Sequence, residues 1–304
     1  MKEKTIRGRC LYTTKGAARE YSPVGCNFYR GCPLQCDYCY NRHGLTKNVL
    51  GVDHVVLDDC FAKRERRPMK YRDLGAETYA MHVFRHELEK NLDYFRETGI
   101  MFSFSTDPML DETDGLTWTA ATAAVLQGVP VTILTKNAGQ WTRYDWFTDQ
   151  FNVTHRDLVS FGFTLTGRDD LEQGAAARFW SNAARIEAMK RVRGMGYRVW
   201  ASIEPVVDFA SSYAMIEGSL NCCDHYKIGL MSGTKKGYYG SMQSLVKFIN
   251  DVNGLLEGRS VTVYWKQSVR NELAGRDEYL ALLDGPQTVG PGFDWFRRLS
   301  DTGQ

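Results

Sequence analysis

Gly31-Cys32-Pro33-Leu34-Gln35-Cys36-Asp37-Tyr38-Cys39-Tyr40 is the stretch around which the rest of this chain is organised. Its cysteines have the spacing C-x3-C-x2-C, so one tight loop can direct three thiolates at a single cubane iron–sulfur cluster. No fourth cysteine follows at a ferredoxin-like distance. One iron would therefore stay open to a ligand that is not protein. A cluster with four thiolate ligands mainly transfers electrons, whereas an open iron can hold a substrate or cosubstrate.

A structural zinc site is the alternative interpretation of these cysteines. Zinc usually takes four ligands, arranged as two C-x2-C or C-x2-C/His knuckles. Only one such knuckle is present here, formed by Cys36 and Cys39. Cys26 could act as a fourth ligand, but residues 27 to 29 are predicted to form a strand that carries it away from the loop. The spacing therefore favours the cluster.

The composition excludes some classes of protein. The chain has 304 residues, 24% of them charged, and a formal net charge of +2, so its overall charge demands neither a nucleic acid nor a membrane partner. Eight cysteines in a chain of this length do not make a disulfide framework. The N-terminus leads into no apolar signal segment, and no apolar run approaches the length of a membrane span. We expect a cytoplasmic protein.

From residue 100 onward, strand-like and helix-like segments alternate. The predicted strands are 100–104, 131–134, 159–165, 199–203, 226–228 and 261–265, and a first strand over 25–29 precedes the cysteine loop. A βα unit needs about 30 residues, which is close to the spacing of these strands, so the pattern predicts a parallel α/β sheet. Apolar periodicity and glycine stops predict helices over 78–98, 117–127 and 175–193.

The chain is predicted to form a single domain over residues 1–304, with its core at about 25–268. Residues 1–24 are expected to be an N-terminal extension that wraps the domain. Residues 41–77 show no clear element and are interpreted as an insertion after the cysteine loop. Residues 269–304 are interpreted as a peripheral C-terminal tail.

Polar segments occur at the carboxyl ends of five predicted strands, where the loops of an α/β barrel converge on a ligand. Buried polar groups cost free energy unless they have partners, so stability alone does not easily explain five such segments at one edge. The segments are Ser105-Thr106-Asp107-Pro108, Thr135-Lys136-Asn137, Thr164-Leu165-Thr166, Ser202-Ile203-Glu204-Pro205 and Lys227-Ile228-Gly229.

The cysteine loop has the spacing that defines the radical S-adenosylmethionine enzymes, with an aromatic residue, Tyr38, directly before the third cysteine. The chain resembles the branch of that superfamily that contains spore photoproduct lyase. The likeness spans roughly residues 15–266 and is carried by Asn27 to Cys32, Phe104 to Pro108, Ile133 to Lys136, Phe161 to Thr166 and Ile203 to Asp208. It implies an incomplete (β/α)6 TIM-like barrel with N-terminal and C-terminal extensions.

The resemblance also implies two cofactors, a [4Fe-4S] cluster on Cys32, Cys36 and Cys39 and S-adenosylmethionine, whose amino and carboxylate groups would chelate the open iron. We match the other parts of the cosubstrate to residues by chemistry. A carboxylate in a dry pocket needs a cation, ribose hydroxyls need neutral partners and adenine needs an aromatic wall. The residues assigned to these parts are Lys136 for the carboxylate, Ser105, Thr106 and Thr164 for the ribose, and Tyr38 for adenine.

Asp107 has two interpretations. It could bind the cosubstrate's ammonium group, or it could cap a helix or turn beside Pro108. Many members of the superfamily hold the ammonium with a Gly-Gly-Glu triplet after the second strand, and this chain has none. That departure puts the ammonium contact in doubt.

The resemblance implies reductive cleavage of S-adenosylmethionine by an electron from an external one-electron reductant. The resulting 5′-deoxyadenosyl radical would abstract hydrogen from a substrate, which the protein must hold in position and shield from water. We expect substrate contacts from the later strand ends, at Glu204, Lys227, Trp265 and Lys266, although core or capping roles are the alternative for each.

The hydrogen donor is another departure from the named lyase. That enzyme has a cysteine near its second strand end that returns a hydrogen atom to the product, and residues 102–107 hold none here. Repair of the spore lesion is therefore not expected. Tyr40, Cys222 or Cys223 could take the donor's place, although the two adjacent cysteines are also interpreted as buried apolar residues.

Residues 63–72 carry six cations and one anion, and together with Tyr71 they could clamp a nucleic-acid backbone. The alternative is that this charged run is simply part of the solvated surface, which is the usual case. A nucleic acid or nucleotide is the substrate class slightly favoured. Two rival functions stay open: a non-catalytic zinc or iron–sulfur protein that binds nucleic acid, and methyl transfer from S-adenosylmethionine.

Overall fold

The computed structural model describes residues 4–43, 47–139, 153–172, 180–231 and 240–296. Most of its strands are formed by buried runs of β-branched or aromatic residues. The strands in these ranges are β1 (Leu11–Thr13), β2 (Val24–Cys26), β3 (Tyr29–Arg30), β4 (Val56–Leu57), β5 (Ile100–Phe102), β6 (Val131–Thr135), β7 (Val159–Thr164), β8 (Arg198–Val206), β9 (His225–Leu230) and β10 (Thr262–Trp265).

Eight strands form one sheet in the order β1-β2-β5-β6-β7-β8-β9-β10. β1 pairs with β2 in antiparallel fashion, and every other neighbouring pair is parallel. The predicted parallel α/β arrangement is therefore confirmed. Among the described residues no pairing joins β10 back to β1, so a closed barrel is not observed.

From β5 onward, helices alternate with the strands along the chain, as the sequence predicted. The helices in the described ranges are α1 (Lys47–Leu50), α2 (Asp59–Ala62), α3 (Ala76–Lys90), α4 (Leu92–Thr98), α5 (Asp114–Val125), α6 (Asn182–Gly194), α7 (Phe209–Ser219), α8 (Met242–Leu256), α9 (Gln267–Glu272) and α10 (Asp277–Leu280). α5 begins three residues before the predicted 117–127. Part of the helix predicted over 175–193 lies outside the described residues, and α6 covers the remainder.

The single helix predicted over 78–98 is wrong, because α3 and α4 are separated at Asn91. The Asn91 side chain donates to the carbonyl of Glu87 at 3.2 Å, and its backbone leaves the helical region. An asparagine amide that binds nearby backbone competes with the helix in this way. Gly99, at a φ of 68°, ends α4 as predicted.

The first predicted strand, 25–29, is also wrong as a single element. It is split into β2 and β3, which belong to different sheets. Asn27 lies at the break, where its side chain accepts from the Phe104 backbone and donates to the Tyr12 hydroxyl, both at 2.9 Å. Cys26 is buried in the core and is held away from the cysteine loop.

Residues 41–77 contain more structure than predicted. β4 pairs with β3 in a small antiparallel ribbon, and α1 and α2 lie on either side of β4. α2 is capped by Asp58, whose side chain accepts from the backbone N–H of Cys60 at 2.9 Å. The N–H of Cys32 donates to the Val52 carbonyl, so the segment packs against the cysteine loop instead of forming a featureless insertion.

The two terminal segments pack against the inner face of the sheet. The Tyr21 ring lies 6.4 Å from the Phe104 ring, just after β5, and 5.9 Å from the Trp200 ring on β8. Since β6 and β7 lie between those strands, the sheet must curve around this segment. The tail residues Phe293 and Phe296 belong to the same buried cluster.

The prediction of a peripheral tail is therefore wrong for residues 293–296, whereas most residues from 274 to 292 are exposed or half-buried. Phe293, Trp295 and Phe296 are each no more than 5% exposed. The glycines, prolines and charges around them gave the segment the composition of a surface tail. The burial of these three aromatic side chains instead makes residues 293–296 a part of the core.

Lys227 on β9 ties both terminal segments to the sheet. Its ammonium donates to the carbonyls of Glu20 at 2.9 Å, Tyr21 at 3.1 Å and Gly292 at 2.9 Å. Burial lowers the pKa of Lys227 to about 7. The three carbonyls nevertheless match the three donors of a charged ammonium, so the hydrogen bonds favour the protonated form.

His225 lies two residues before Lys227 and stacks on Trp295 with ring centroids 4.9 Å apart. Its Nδ1 is 2.9 Å from the Thr262 hydroxyl, and its Nε2 has no partner among the described residues. Burial, reinforced by the charge of Lys227, lowers the pKa of His225 well below its ordinary value.

This environment predicts a pH-dependent stability. The folded protein keeps His225 neutral, whereas the unfolded chain binds a proton below about pH 6.5, so stability should fall as the pH drops below that value. Urea unfolding at pH 7.0 and 5.5 should show a loss of about 1 kcal/mol that His225→Gln removes. His82→Gln, at an exposed site on α3, is the control. An unchanged pH dependence in His225→Gln would contradict this assignment.

Candidate functional site

The cysteine loop is held in shape by the segment around Val52. The N–H of Cys32 donates to the Val52 carbonyl at 3.0 Å, and the Gln35 amide donates to the same carbonyl at 3.1 Å. Gly31 has a φ of 76°, and a Cβ there would lie 2.2 Å from the His54 carbonyl oxygen. Only glycine fits this approach, so the loop and the 52–54 segment form one unit.

Cys32, Cys36 and Cys39 line one cavity of about 140 Å³. Burial raises the pKa of Cys32 to about 12 and also raises that of Cys36, so both are thiols until a metal displaces their protons. Within the ranges that the structure describes, no group of three or more Cys, His, Asp or Glu side chains is arranged to hold a metal ion. The loop brings the cysteines together but does not present a preformed coordination sphere.

Two buried polar atoms belong to residues that line the same cavity and have no hydrogen-bond partner among the described residues. They are the Thr106 hydroxyl and the Asn41 side-chain oxygen. Buried polar groups in folded proteins almost always have a partner. Together with the three cysteines, they fit a polar ligand held beside a metal cluster.

Tyr38 and Lys136 lie against each other on one side of the cysteines. The Lys136 ammonium is 5.2 Å from the centre of the Tyr38 ring. Burial disfavours the charge of Lys136, but the neighbouring Cys36 and Glu172 outweigh it and raise the pKa of Lys136. Lys136 is therefore a cation at the carboxyl end of β6, within the wall of the cysteine cavity.

A buried ion pair behind this wall was not foreseen from the sequence. Arg185 on α6 binds Glu172, and both side chains are 1% exposed. Glu172 also accepts from the Tyr38 hydroxyl and from Thr166, the latter at 2.9 Å. Arg185 donates to the carbonyls that follow β6 and end β7, at 3.2 and 2.9 Å. The pair therefore fixes the backbone that carries Lys136 and orients the Tyr38 ring.

Asp107 lines the cysteine cavity, but its carboxylate is occupied by neighbouring groups. It accepts from the Met109 backbone at 3.0 Å, the Thr135 hydroxyl at 2.6 Å and the Lys136 backbone at 2.7 Å. These contacts match the capping interpretation. The role of Asp107 toward an ammonium group stays a prediction.

Two of the three predicted ribose contacts lie at the cysteine cavity and the third does not. Thr106 and Thr164 line the cysteine cavity, whereas Ser105 does not, because its hydroxyl donates to the Tyr29 carbonyl. Ser103 lines the cavity instead and was missed. β5 ends at Phe102, two residues before the predicted end, so the chain turns at Ser103 and the serine facing inward changes.

A second, larger cavity of about 410 Å³ adjoins the first. Its walls include Glu204 and Lys266, two of the predicted substrate contacts, and Tyr40. Tyr40 as a whole residue is 62% exposed, and its hydroxyl donates to the Phe104 carbonyl. The residues that line both cavities are Cys39, Tyr40, Ser103, Phe104, Leu134, Lys136 and Thr164.

Two other predicted contacts lie elsewhere. Lys227 is bound to three carbonyls beneath the cavity, because β9 continues for three residues beyond it to Leu230. Trp265 is fully buried and packs 6.3 Å from the Phe248 ring, which is a core position. Cys222 and Cys223 are buried just before β9 begins, at the opposite edge of the sheet from the cysteine loop.

Three cations of the basic stretch 63–72 make contacts within the protein. Arg67 is buried and donates to the carbonyls of Phe61, Leu74 and Ala62 at 2.6 to 2.9 Å. Lys63 pairs with Asp59 at 2.8 Å, and Arg64 pairs with Asp73. The other five cations of the stretch are exposed, so these contacts leave positive charge at the surface. Binding of nucleic acid through this stretch stays a prediction.

Comparisons with known proteins add little to this geometry. No protein-family model matches the chain, and no curated protein matches it. The crystal structure of Streptococcus suis SuiB matches with 11% sequence identity and a TM-score of 0.38, over 60% of this chain and 42% of that one. A likeness at that TM-score supports no conclusion about activity. No helix in the described ranges is long and apolar enough to cross a membrane.

Proposed function

We propose that this chain is a radical S-adenosylmethionine enzyme with an incomplete TIM-like barrel, working with an external one-electron reductant in the cytoplasm. One observation supports this more than any other. The three cysteines of the C-x3-C-x2-C loop line the same cavity as Lys136, Thr106 and Thr164, which follow or end three adjacent parallel strands.

The residues divide the work according to their chemistry. Cys32, Cys36 and Cys39 would hold a [4Fe-4S] cluster, which supplies one electron to the sulfonium of S-adenosylmethionine. Lys136 would pair with the cosubstrate carboxylate, and the Thr106 and Thr164 hydroxyls would bind its ribose. Tyr38, held by Glu172, would form the wall against adenine.

The larger cavity is the proposed place of the substrate. It shares walls with the cysteine cavity, so a molecule held there would lie beside the cosubstrate. Its apolar residues, such as Met101, Leu134 and Leu230, exclude water from a reactive carbon. Selectivity would then depend on position alone, because a primary carbon radical attacks nearly any C–H within reach.

Anaerobic reconstitution with iron and sulfide, followed by dithionite and S-adenosylmethionine, tests the proposal. We expect 5′-deoxyadenosine and methionine as products. If the protein with an intact cluster yields neither, the proposal fails. Zinc in place of iron would support the binding-protein alternative, and S-adenosylhomocysteine would support methyl transfer.

Each cysteine of the loop should be essential for this chemistry. Substituting a residue that only supports a metal ligand typically lowers metal affinity or activity by roughly 10- to 100-fold. Cys32→Ser, Cys36→Ser and Cys39→Ser should each lower bound iron and 5′-deoxyadenosine formation by more than that. Cys60→Ser, at a partly buried site outside both cavities, is the matched control and should keep its iron. Loss of iron in the control, or retention in all three loop variants, would contradict the assignment.

A further inference from the structure

One oxygen of the Glu204 carboxylate accepts hydrogen bonds from protein donors, and the other does not within the part of the chain that the structure describes. Its Oε2 accepts from the Lys266 ammonium at 2.6 Å and from the Tyr21 hydroxyl. Its Oε1 has no donor among the described residues, and the side chain is 25% exposed in the wall of the larger cavity. Lys266, by contrast, is 1% exposed and lies behind the carboxylate.

Two features of the backbone next to Glu204 determine where its carboxylate lies. The pairing of β8 with β9 shifts register between Ile203 and Val206, and a bulge of this kind re-aims a side chain. Opposite it, Gly229 leaves room, since a Cβ there would lie 3.0 Å from Glu204 Oε1 and 2.9 Å from Lys266 Cδ. The backbone therefore directs Glu204 to the cavity.

Tyr21 keeps the carboxylate in that orientation. Its hydroxyl also lies 2.7 Å from the Ser202 hydroxyl, and the Lys266 ammonium is 4.2 Å from the centre of its ring. Burial and the charge of Glu204 raise the pKa of Tyr21 well above its ordinary value, so the phenol stays protonated and donates. Tyr21 is thus a positioning residue contributed by the N-terminal segment.

We propose that Glu204 Oε1 is the polar anchor of the larger cavity and selects a ligand that presents an N–H or O–H donor, such as an amide, amine or hydroxyl group. An anionic group placed against Oε1 itself would meet like charge at close range, although Lys15, Lys136 and Lys266 also line the cavity. The proposal deepens the proposed function, because it rests on the larger cavity as the substrate's place and names the chemistry of the group that must enter it.

Carbon NMR of the full chain, labelled at the glutamate side-chain carboxyl and kept without reductant, tests the anchor directly. Two small probes of similar size are compared: N-methylurea, which is neutral and has N–H donors, and acetate, which is anionic and has none. N-methylurea should shift the Glu204 resonance in a saturable manner and acetate should not. Glu187, which pairs with Lys190 at 2.6 Å on an exposed helix face, is the internal control.

Loss of one signal in Glu204→Gln identifies the Glu204 resonance. If Glu204→Gln does not fold, Tyr21→Phe, which keeps the ring, identifies the same resonance by its shift. Tyr21→Phe should weaken N-methylurea binding about tenfold, because the carboxylate loses a donor that orients it. A shift with acetate, an equal shift at Glu187, or no saturable shift with N-methylurea would overturn the proposal. The test needs no turnover, so its failure is separate from a failure to form 5′-deoxyadenosine.

Discussion

Replacing Arg185 by methionine is expected to lower the free energy of unfolding by about 3–5 kcal/mol. Methionine keeps much of the side-chain length but removes the cation that is hydrogen-bonded to the Glu172 carboxylate, which is 1% exposed, and leaves only the more distant charge of Lys136. The buried charge must then be neutralised by a proton or exposed to water, and either costs free energy. Urea unfolding of the protein without cofactors measures the loss.

A double-mutant cycle separates the ion pair from simple packing. Arg185→Met with Glu172→Gln removes both charges and should recover much of the loss. Lys190→Met breaks an exposed pair of the same kind, with side chains 53% and 71% exposed, and should cost less than about 1 kcal/mol. A single variant as stable as the wild type, or a double variant no better than the single, would contradict a buried and charged pair.

Replacing Lys136 by methionine should weaken S-adenosylmethionine binding about 10- to 100-fold, because a charge-assisted hydrogen bond to the carboxylate is lost in a buried cavity. Isothermal titration of the reconstituted protein measures the affinity. Lys136→Arg keeps the charge and should restore part of it.

Lys15→Met is the matched control for that substitution. Lys15 lines the larger cavity but not the cysteine cavity, so its loss should change the affinity by less than about threefold. Equal losses in Lys15→Met and Lys136→Met would show that the cavity attracts the cosubstrate by general charge. Normal affinity in Lys136→Met would remove Lys136 from the proposed site.

Much of the sheet follows from the sequence because its strands are buried on both faces. Runs such as 131–134 and 159–165 are mostly apolar and recur at the length of a βα unit, which marks parallel strands clearly. The same logic placed Lys136 and Thr164 at strand ends beside the cysteine loop, where the structure also has them.

Errors arose where one or two residues decide which way a side chain faces. Extending β5 to Phe104 put Ser105 in the site, whereas the strand ends at Phe102 and Ser103 faces the cavity. Ending β9 at Ile228 put Lys227 at the site, whereas the strand continues and the lysine lies one layer below. Strand ends are the part of a pattern that periodicity defines least well.

Two side-chain contacts that depend on tertiary packing could not be predicted from the sequence. Glu172 and Arg185 become partners only because α6 returns along the sheet, and neither lies in a recognisable motif. Tyr21 likewise meets Glu204 through the curvature of the sheet, across 183 positions of the chain. Such pairs depend on tertiary packing and not on local spacing, so a single sequence does not reveal them.

The open iron is the central claim, and electron–nuclear double resonance on the reduced cluster tests it most directly. The protein is reconstituted, reduced and mixed with S-adenosylmethionine carrying ¹⁵N in its methionine amino group. We predict a hyperfine coupling between the cluster and that nitrogen, because Cys32, Cys36 and Cys39 leave one iron without a protein ligand. A cluster spectrum that does not change when the labelled cosubstrate is added would contradict the account.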